Sequence, residues 1–412
     1  MTSLLPQYEL APGEFARRKE WARRRGSPNW LWPEVDPVEW RAALTQLEGI
    51  ARNVVNGRSA SLIEGEPAAL SLAAYTSGLG PLVGWWLHEG AIDAPAGVRS
   101  TFDMHLSHNR LRNERLLSHG RQIAAAFAAQ KIDLVVLKGA HTALSYFPDR
   151  ATRPASDVDL LIRERDAGAA AGVLQSLGLA RSSGGRFESN WRPVGASTEP
   201  RSLSFVHEDD PWSIDLHYSL DRYVDAGAPR ARLDLGDSMH SSRPWQGLAS
   251  ARVLDQPLLL LALAVHAGTG LHSLTLLRLV ELIFVIRKDT AEGRLSWLEF
   301  LARAERTNST GYAFPALALC AELAPGIVPD DVLDACFRAA PPRARAVVSR
   351  HTPSSAHRVD RNSLAEHFMW TRGLGGWTAK LASDIAPSAR WGKVRSIYLA
   401  RLWQLARGRV AR

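Results

Sequence analysis

The chain has 412 residues and a formal net charge of +8, with 46% hydrophobic and 22% charged residues, the make-up of an ordinary globular protein of two or three domains. Its two cysteines, Cys320 and Cys336, exclude a disulfide framework and a cysteine metal site, and point to a cytoplasmic setting. The longest apolar run, Leu258 to Val265, falls far short of the roughly 18 residues that span a bilayer, and no secretory leader pattern opens the chain.

In chain order, residues 1–35 are rich in Trp, Pro and Arg and read as a loose arm or short helix. Asp36-Pro37 is a helix start, with Asp as cap and Pro in the first turn. Further helices are expected over Pro67–Tyr75, Pro81–Leu87 and, with no proline to break it, within Arg99–Gln130. Asp133–Leu137 is a short β-prone run ended by Gly139. A short helix at His141–Phe147 precedes a second strand, Asp157–Ile162, and an Ala-rich helix, Asp166–Leu177. The Gly/Ser/Pro-rich stretch Ser183–Pro200 reads as loop, and Ser202–His207 with Trp212–His217 reads as a hairpin. From Leu258 onward the pattern is helical. The expected helices are Leu258–Ala267, Ser273–Lys288, Trp297–Arg306, Tyr312–Leu323, Asp330–Ala339, Leu364–Leu381 and Arg390–Arg407. The resulting division is an N-terminal helical region (1–98), a mixed core (99–250), a helical domain (251–340) and a basic C-terminal helical region (341–412). From Arg343 to Arg412 there are 14 Lys/Arg against three acids, so the tail is basic and the rest nearly neutral. Such a tail is either a solvated helix face or a surface for a polyanion, an acidic partner or a membrane.

The chemistry gathers between Asp133 and His217. Asp157 and Asp159 lie two apart on a strand, so they share a face with Cα atoms about 6.6 Å apart. Asp215 and His217 share a face of a later strand. If the two strands are neighbours, three carboxylates converge, and hard oxygen ligands of this kind suit Mg²⁺ or Mn²⁺ in nucleotidyl transfer. Alone, an Asp-Val-Asp marks a strand edge as readily as a metal site. Lys138-Gly139 forms a strand-to-helix turn where backbone and ammonium can meet an anion, although the P-loop spacing is absent. Arg153 is either a phosphate ligand or the partner of a core acid. His217 can tune Asp215 or move a proton, or be structural. His141 and His266 are weaker candidates, and His266 sits in an apolar helix.

Leu-Lys138-Gly139-Ala, Arg153-Pro154, Asp157-Val-Asp159-Leu-Leu and Ile-Asp215-Leu-His217 together resemble the uncharacterised bacterial nucleotidyltransferase family of the DNA polymerase β-like superfamily. The resemblance implies an α+β fold, a small mixed sheet flanked by helical regions. It makes Gly139 the turn glycine and Asp157, Asp159 and Asp215 the metal-binding catalytic carboxylates. Lys138, Gly139, Arg153 and His217 are then the nucleotide-binding group. Many superfamily members have Gly-Ser at the turn, whereas this chain has Gly-Ala, which leaves phosphate to the backbone and Lys138. The expected activity is Mg²⁺-dependent transfer of a nucleotide from a nucleoside triphosphate such as ATP to an acceptor hydroxyl. The acceptor is a small molecule, peptide, protein or RNA, and nucleic acid would engage the basic C-terminus. The alternatives are a catalytically silent, antitoxin-like nucleotide-binding module and an RNA-binding protein acting through the tail.

Overall fold

The computed structural model describes residues 9–356 and 364–385, apart from 26–27, 62–64, 223, 225–227, 246 and 249. The expected helix Arg390–Arg407 and most of the basic tail lie outside the described residues.

Two short strands, β1 (Ala60–Ser61) and β2 (Ile92–Asp93), pair in parallel apart from the main sheet. The main sheet has seven strands: β3 (Leu134–Val136), β4 (Asp157–Leu161), β5 (Leu179–Gly184), β6 (Glu188–Pro193), β7 (Ser213–His217), β8 (Ser242–Pro244) and β9 (Ala251–Leu254). Their order is β5-β6-β7-β4-β3-β9-β8. β4 runs parallel to β7 and β3 parallel to β9, and the other neighbours are antiparallel. This is the expected α+β class, a mixed sheet with helical flanks. No helix among the described residues is long and apolar enough to cross a membrane.

The period of two along β4 and β7 decides which face carries the acids. Val158, Leu160, Ile214 and Leu216 point to one side. There they pack with Leu116, Ile123 and Phe127 of the helix Ala96–Ala129, and with Ala170 and Leu174 of Ala167–Ser176. Asp157, Asp159, Asp215 and His217 are therefore left on the other side. On that side Val135, Leu137 and Leu254 join a larger core. The same core takes in Leu47 and Leu82 from the N-terminal helices and Leu260, Leu279 and Leu317 from the later ones, so residues 1–98 and 251–340 pack together. β9 extends the sheet just past residue 250.

The long helix, 34 residues, carries a polar stripe at i, i+3 and i+4 inside its buried face: Asn109, Arg112 and Asn113. Asn109 donates to the Ala151 carbonyl, and Asn113 to those of Arg150 and Arg153. Arg112 donates to the carbonyls of Ala155, Asp210 and Pro211. One guanidinium thus holds both the loop leading into β4 and the loop leading into β7. Arg112→Ala would strand three carbonyls, and its expected cost is about 2–3 kcal/mol in a urea melt.

Two expectations are corrected. Ser202–His207 is not a strand: the Asp210 carboxylate accepts from the backbone N–H groups of Arg201 and His207, and this local bonding replaces a ladder. A hairpin lies instead just upstream, β5 with β6, and runs into the stretch read as loop. It was hidden because β5 is an edge strand exposed along all but Leu179, which leaves no apolar alternation to see. The segment Leu364–Leu381 is also broken, into Leu364–His367 and Gly373–Ile385, the second opening on Gly373 at φ +61°.

Candidate active site

β4 and β7 lie in register with Asp159 opposite Asp215 and Asp157 opposite Ser213. The sheet therefore brings together the three acids expected from the sequence. One ligand oxygen from each of Asp157, Asp159 and Asp215 lies within 4.8 Å of the other two, the one such acidic cluster found among the described residues.

Asp159 is the hub, almost fully buried. Lys138 Nζ forms an ion pair with its Oδ1, and His217 Nε2 lies 3.2 Å from the same oxygen. Burial opposes ionisation, but Lys138 and His217 outweigh it and hold the Asp159 carboxyl well below the usual carboxylate range. Asp157 behaves in the opposite way. Burial, together with the charge of Asp159, pushes its carboxyl up to about 6, against the pull of Lys138 and Arg153. Asp215 accepts a hydrogen bond from the Asn190 side chain, which comes from the facing position of β6. His217 Nδ1 lies 3.4 Å from Glu188 on the same strand as Asn190.

The donor set fits a hard divalent cation. Three carboxylate oxygens converge from two hydrogen-bonded strands, and Asp157 carries a repulsion that a cation would relieve. Lys138 already neutralises Asp159 in part, so a cation here would share that carboxylate with the ammonium.

Gly139 follows β3 with φ +66°, ψ −98° and precedes the helix Ala140–Ser145. A β-carbon there would meet nothing closer than 3.7 Å, so the backbone angle and not crowding requires glycine. Gly139→Ala is expected to cost about 1–2 kcal/mol in a thermal melt.

Arg153 is buried, and its Nε and Nη2 are held by Glu281 at 2.7 and 3.1 Å. Thr142, in the short helix after the turn, donates to the same carboxylate. Its remaining nitrogen, Nη1, bonds the Pro154 carbonyl and borders Gly139. His141 is a core residue: its Nδ1 lies 3.1 Å from Ser145 Oγ, and burial pushes its imidazole down to about 3.

Two cavities meet at Asp159, and Asp215 faces another beside Asn190 and Glu188. The first, about 460 Å³, holds the Gly139 turn, Arg153, Asp157, Arg278 and Glu281. The second, about 270 Å³, holds His217, Glu188, Phe187 and Arg222. Lys138, Asp159, Leu263 and His266 line both. Arg278, Glu281, Asn190, Arg222 and Glu188 were not singled out from the sequence. Arg278 and Glu281 did carry a signal: two charges three apart in the apolar run Leu-Leu-Arg-Leu-Val-Glu-Leu-Ile, on one helix face. The Arg278 guanidinium makes no hydrogen bond or ion pair with the described residues.

A mixed sheet with three carboxylates converging on adjacent strands beside a glycine turn defines a nucleotidyltransferase domain. The family model described as "Uncharacterised nucleotidyltransferase" matches residues 66–325, more than half of the chain, and the chain belongs to that family. No curated protein and no solved structure gives a significant match.

Proposed function

We propose that the protein is a Mg²⁺-dependent nucleotidyltransferase of the polymerase β-like kind, which moves a nucleoside monophosphate from a nucleoside triphosphate to an acceptor hydroxyl. The observation that carries this reading is the convergence of Asp157, Asp159 and Asp215, set by the β4–β7 register. The triphosphate occupies the larger cavity, with its phosphates at the Gly139 turn. Arg278, whose guanidinium is unpaired among the described residues, meets them with its forked donors, and Lys138 adds a point charge. Arg153 supports the turn through Glu281 and Thr142 and presents only Nη1 towards it.

Bound divalent cations would neutralise the phosphates and sharpen the nucleophile, the chemistry that such sites supply. Asp159 stays ionised under the hold of Lys138 and His217 and is the fixed anchor of the group. Asn190 pins one oxygen of Asp215, which leaves the other to draw the acceptor proton. The acceptor oxygen bonds to the α-phosphorus as the bond from that phosphorus to the pyrophosphate oxygen breaks, and pyrophosphate departs. The test is pyrophosphate release from each of the four common nucleoside triphosphates with Mg²⁺ and a cell extract as acceptor source. The expected result is release that stops on chelation and is lowered in Arg278→Met. Release that is indifferent to chelation would contradict the reading.

A further inference from the structure

The smaller cavity is not explained by nucleotide binding. It shares Lys138 and Asp159 with the larger one but does not include the Gly139 turn. An occupant therefore reaches the carboxylates from a different side than the triphosphate. Phosphoryl-type transfer needs the attacking and leaving oxygens in line, on opposite sides of phosphorus. A second cavity that meets the first at Lys138 and Asp159 offers a separate approach of that kind.

Its lining specifies more. Leu137, Leu220, Leu254 and Leu259, with Phe187, give it an apolar body. Into this surface comes Arg222, whose backbone is bonded both ways to Ala231 and whose guanidinium makes no hydrogen bond or ion pair with the described residues. Asp159 and Glu188 act on this guanidinium only from a distance; a partly buried guanidinium that no described carboxylate touches is costly, and its forked donors match carboxylate or phosphate. Glu188 at the rim is directed to His217 and mostly exposed. Lining both cavities is His266, both of whose ring nitrogens are shielded from solvent and without a hydrogen-bond partner among the described residues. Buried polar atoms of that kind normally have one.

We propose that the smaller cavity is the acceptor pocket and takes a small hydroxyl compound with an apolar body and an anionic group, carboxylate or phosphate, paired to Arg222. The inference rests on the transfer reading above and adds the acceptor class to it. The acceptor's hydroxyl oxygen bonds to the α-phosphorus, pyrophosphate leaves with the electrons of the bond that breaks, and the hydroxyl proton passes to the carboxylate cluster, of which Asp159 lines this cavity. His266 is a positioning residue whose free nitrogens hold the acceptor between the cavities. The volume, about 270 Å³, fits a small molecule and lies just below the usual range of ligand sites.

Calorimetric titration of the full chain tests this with octanoate, octyl phosphate, 1-octanol and octylamine as probes, alongside ATP binding. The expected result is that at least one of the two anions binds at least tenfold more tightly than the alcohol or the amine. The better anion tells carboxylate from phosphate. Arg222→Met should remove that preference and leave ATP affinity within about twofold, while Arg278→Met should do the reverse. Among the described residues the Arg222 guanidinium has no partner to strand, and Arg222→Lys, expected to retain part of the preference, guards against misfolding. Equal binding of octanoate, octyl phosphate and octanol would overturn the proposal. So would anion binding that survives Arg222→Met, or an oligoribonucleotide that displaces octanoate and is itself released by Arg222→Met. Anion binding that depends on Arg222 in a protein that binds no nucleotide would overturn the transfer reading instead, and leave the anion site standing.

Discussion

Asp157→Asn is expected to stabilise the metal-free protein and to lower nucleotidyl transfer on the order of 10³-fold. The stabilising half follows from the raised carboxyl. In the folded protein Asp157 titrates at about 6, against an ordinary value near 4, because it is buried beside Asp159. The folded state therefore binds this proton more tightly than the unfolded one. Wild-type stability falls as pH rises from about 4 through about 6, and above that the full penalty is present. Allowing for partial solvent screening, the penalty is about 1–3 kcal/mol. Asparagine carries no charge and escapes it. Asp159→Asn should have the opposite sign: it breaks the links to Lys138 and His217, and about 2–4 kcal/mol is the expected loss. Melts in chelator at about pH 7.5 and at about pH 4, the two ends of that window, separate the two. The Asp157 variant should melt above wild type at the higher pH and close to it at the lower. Adding Mg²⁺ should raise wild type and leave the variant unmoved. A variant that melts below wild type in chelator would remove the electrostatic account of the site.

Glu281→Ala is expected to cost about 3–5 kcal/mol, the loss associated with breaking a buried ion pair from one side. Glu281 is buried and receives Arg153 through two nitrogens and Thr142 through a third bond. Removing it leaves a guanidinium uncompensated in the interior. The carboxylate also ties helix Leu276–Ala291 to the glycine turn, so nucleotide binding should fall along with stability. Urea unfolding of Glu281→Ala, Arg153→Met and the paired Arg153→Met/Glu281→Leu gives the check. Recovery of most of the stability in the pair, with nucleotide affinity still reduced, is the expected pattern. Full recovery of affinity in the pair would mean that neither residue serves the nucleotide.

The acid pair and its partner were legible because period-two alternation exposes them. Val158, Leu160, Ile214 and Leu216 must go inward, so Asp157, Asp159, Asp215 and His217 must go to the other face. What no local pattern states is that β4 and β7 are neighbours in that register, across a helix and a hairpin. That adjacency depends on long-range contacts, above all Arg112 gathering the two loops that lead into the strands. The helices were legible from apolar spacing and caps: Asp36 accepts from the Val38 N–H as the Asp-Pro start implies, and Trp297–Arg306 and Asp330–Ala339 fall where expected. The β5–β6 hairpin was illegible because its outer strand faces solvent. With it went Asn190 and Glu188, whose relation to Asp215 and His217 exists only across strands. Arg278 and Glu281 were visible as charges in an apolar helix, but the sequence could not say that Glu281 is paired with Arg153 while Arg278 has no partner among the described residues.

The central claim is that three carboxylates on two strands form a nucleotidyl-transfer site. The measurement that meets it most directly is incubation of the protein with Mg²⁺, each α-³²P-labelled nucleoside triphosphate and a cell extract, run beside Asp157→Asn/Asp159→Asn. A labelled product formed by the wild type, dependent on Mg²⁺ and absent with the double variant, is the predicted result. Label that forms equally well with the double variant would contradict it.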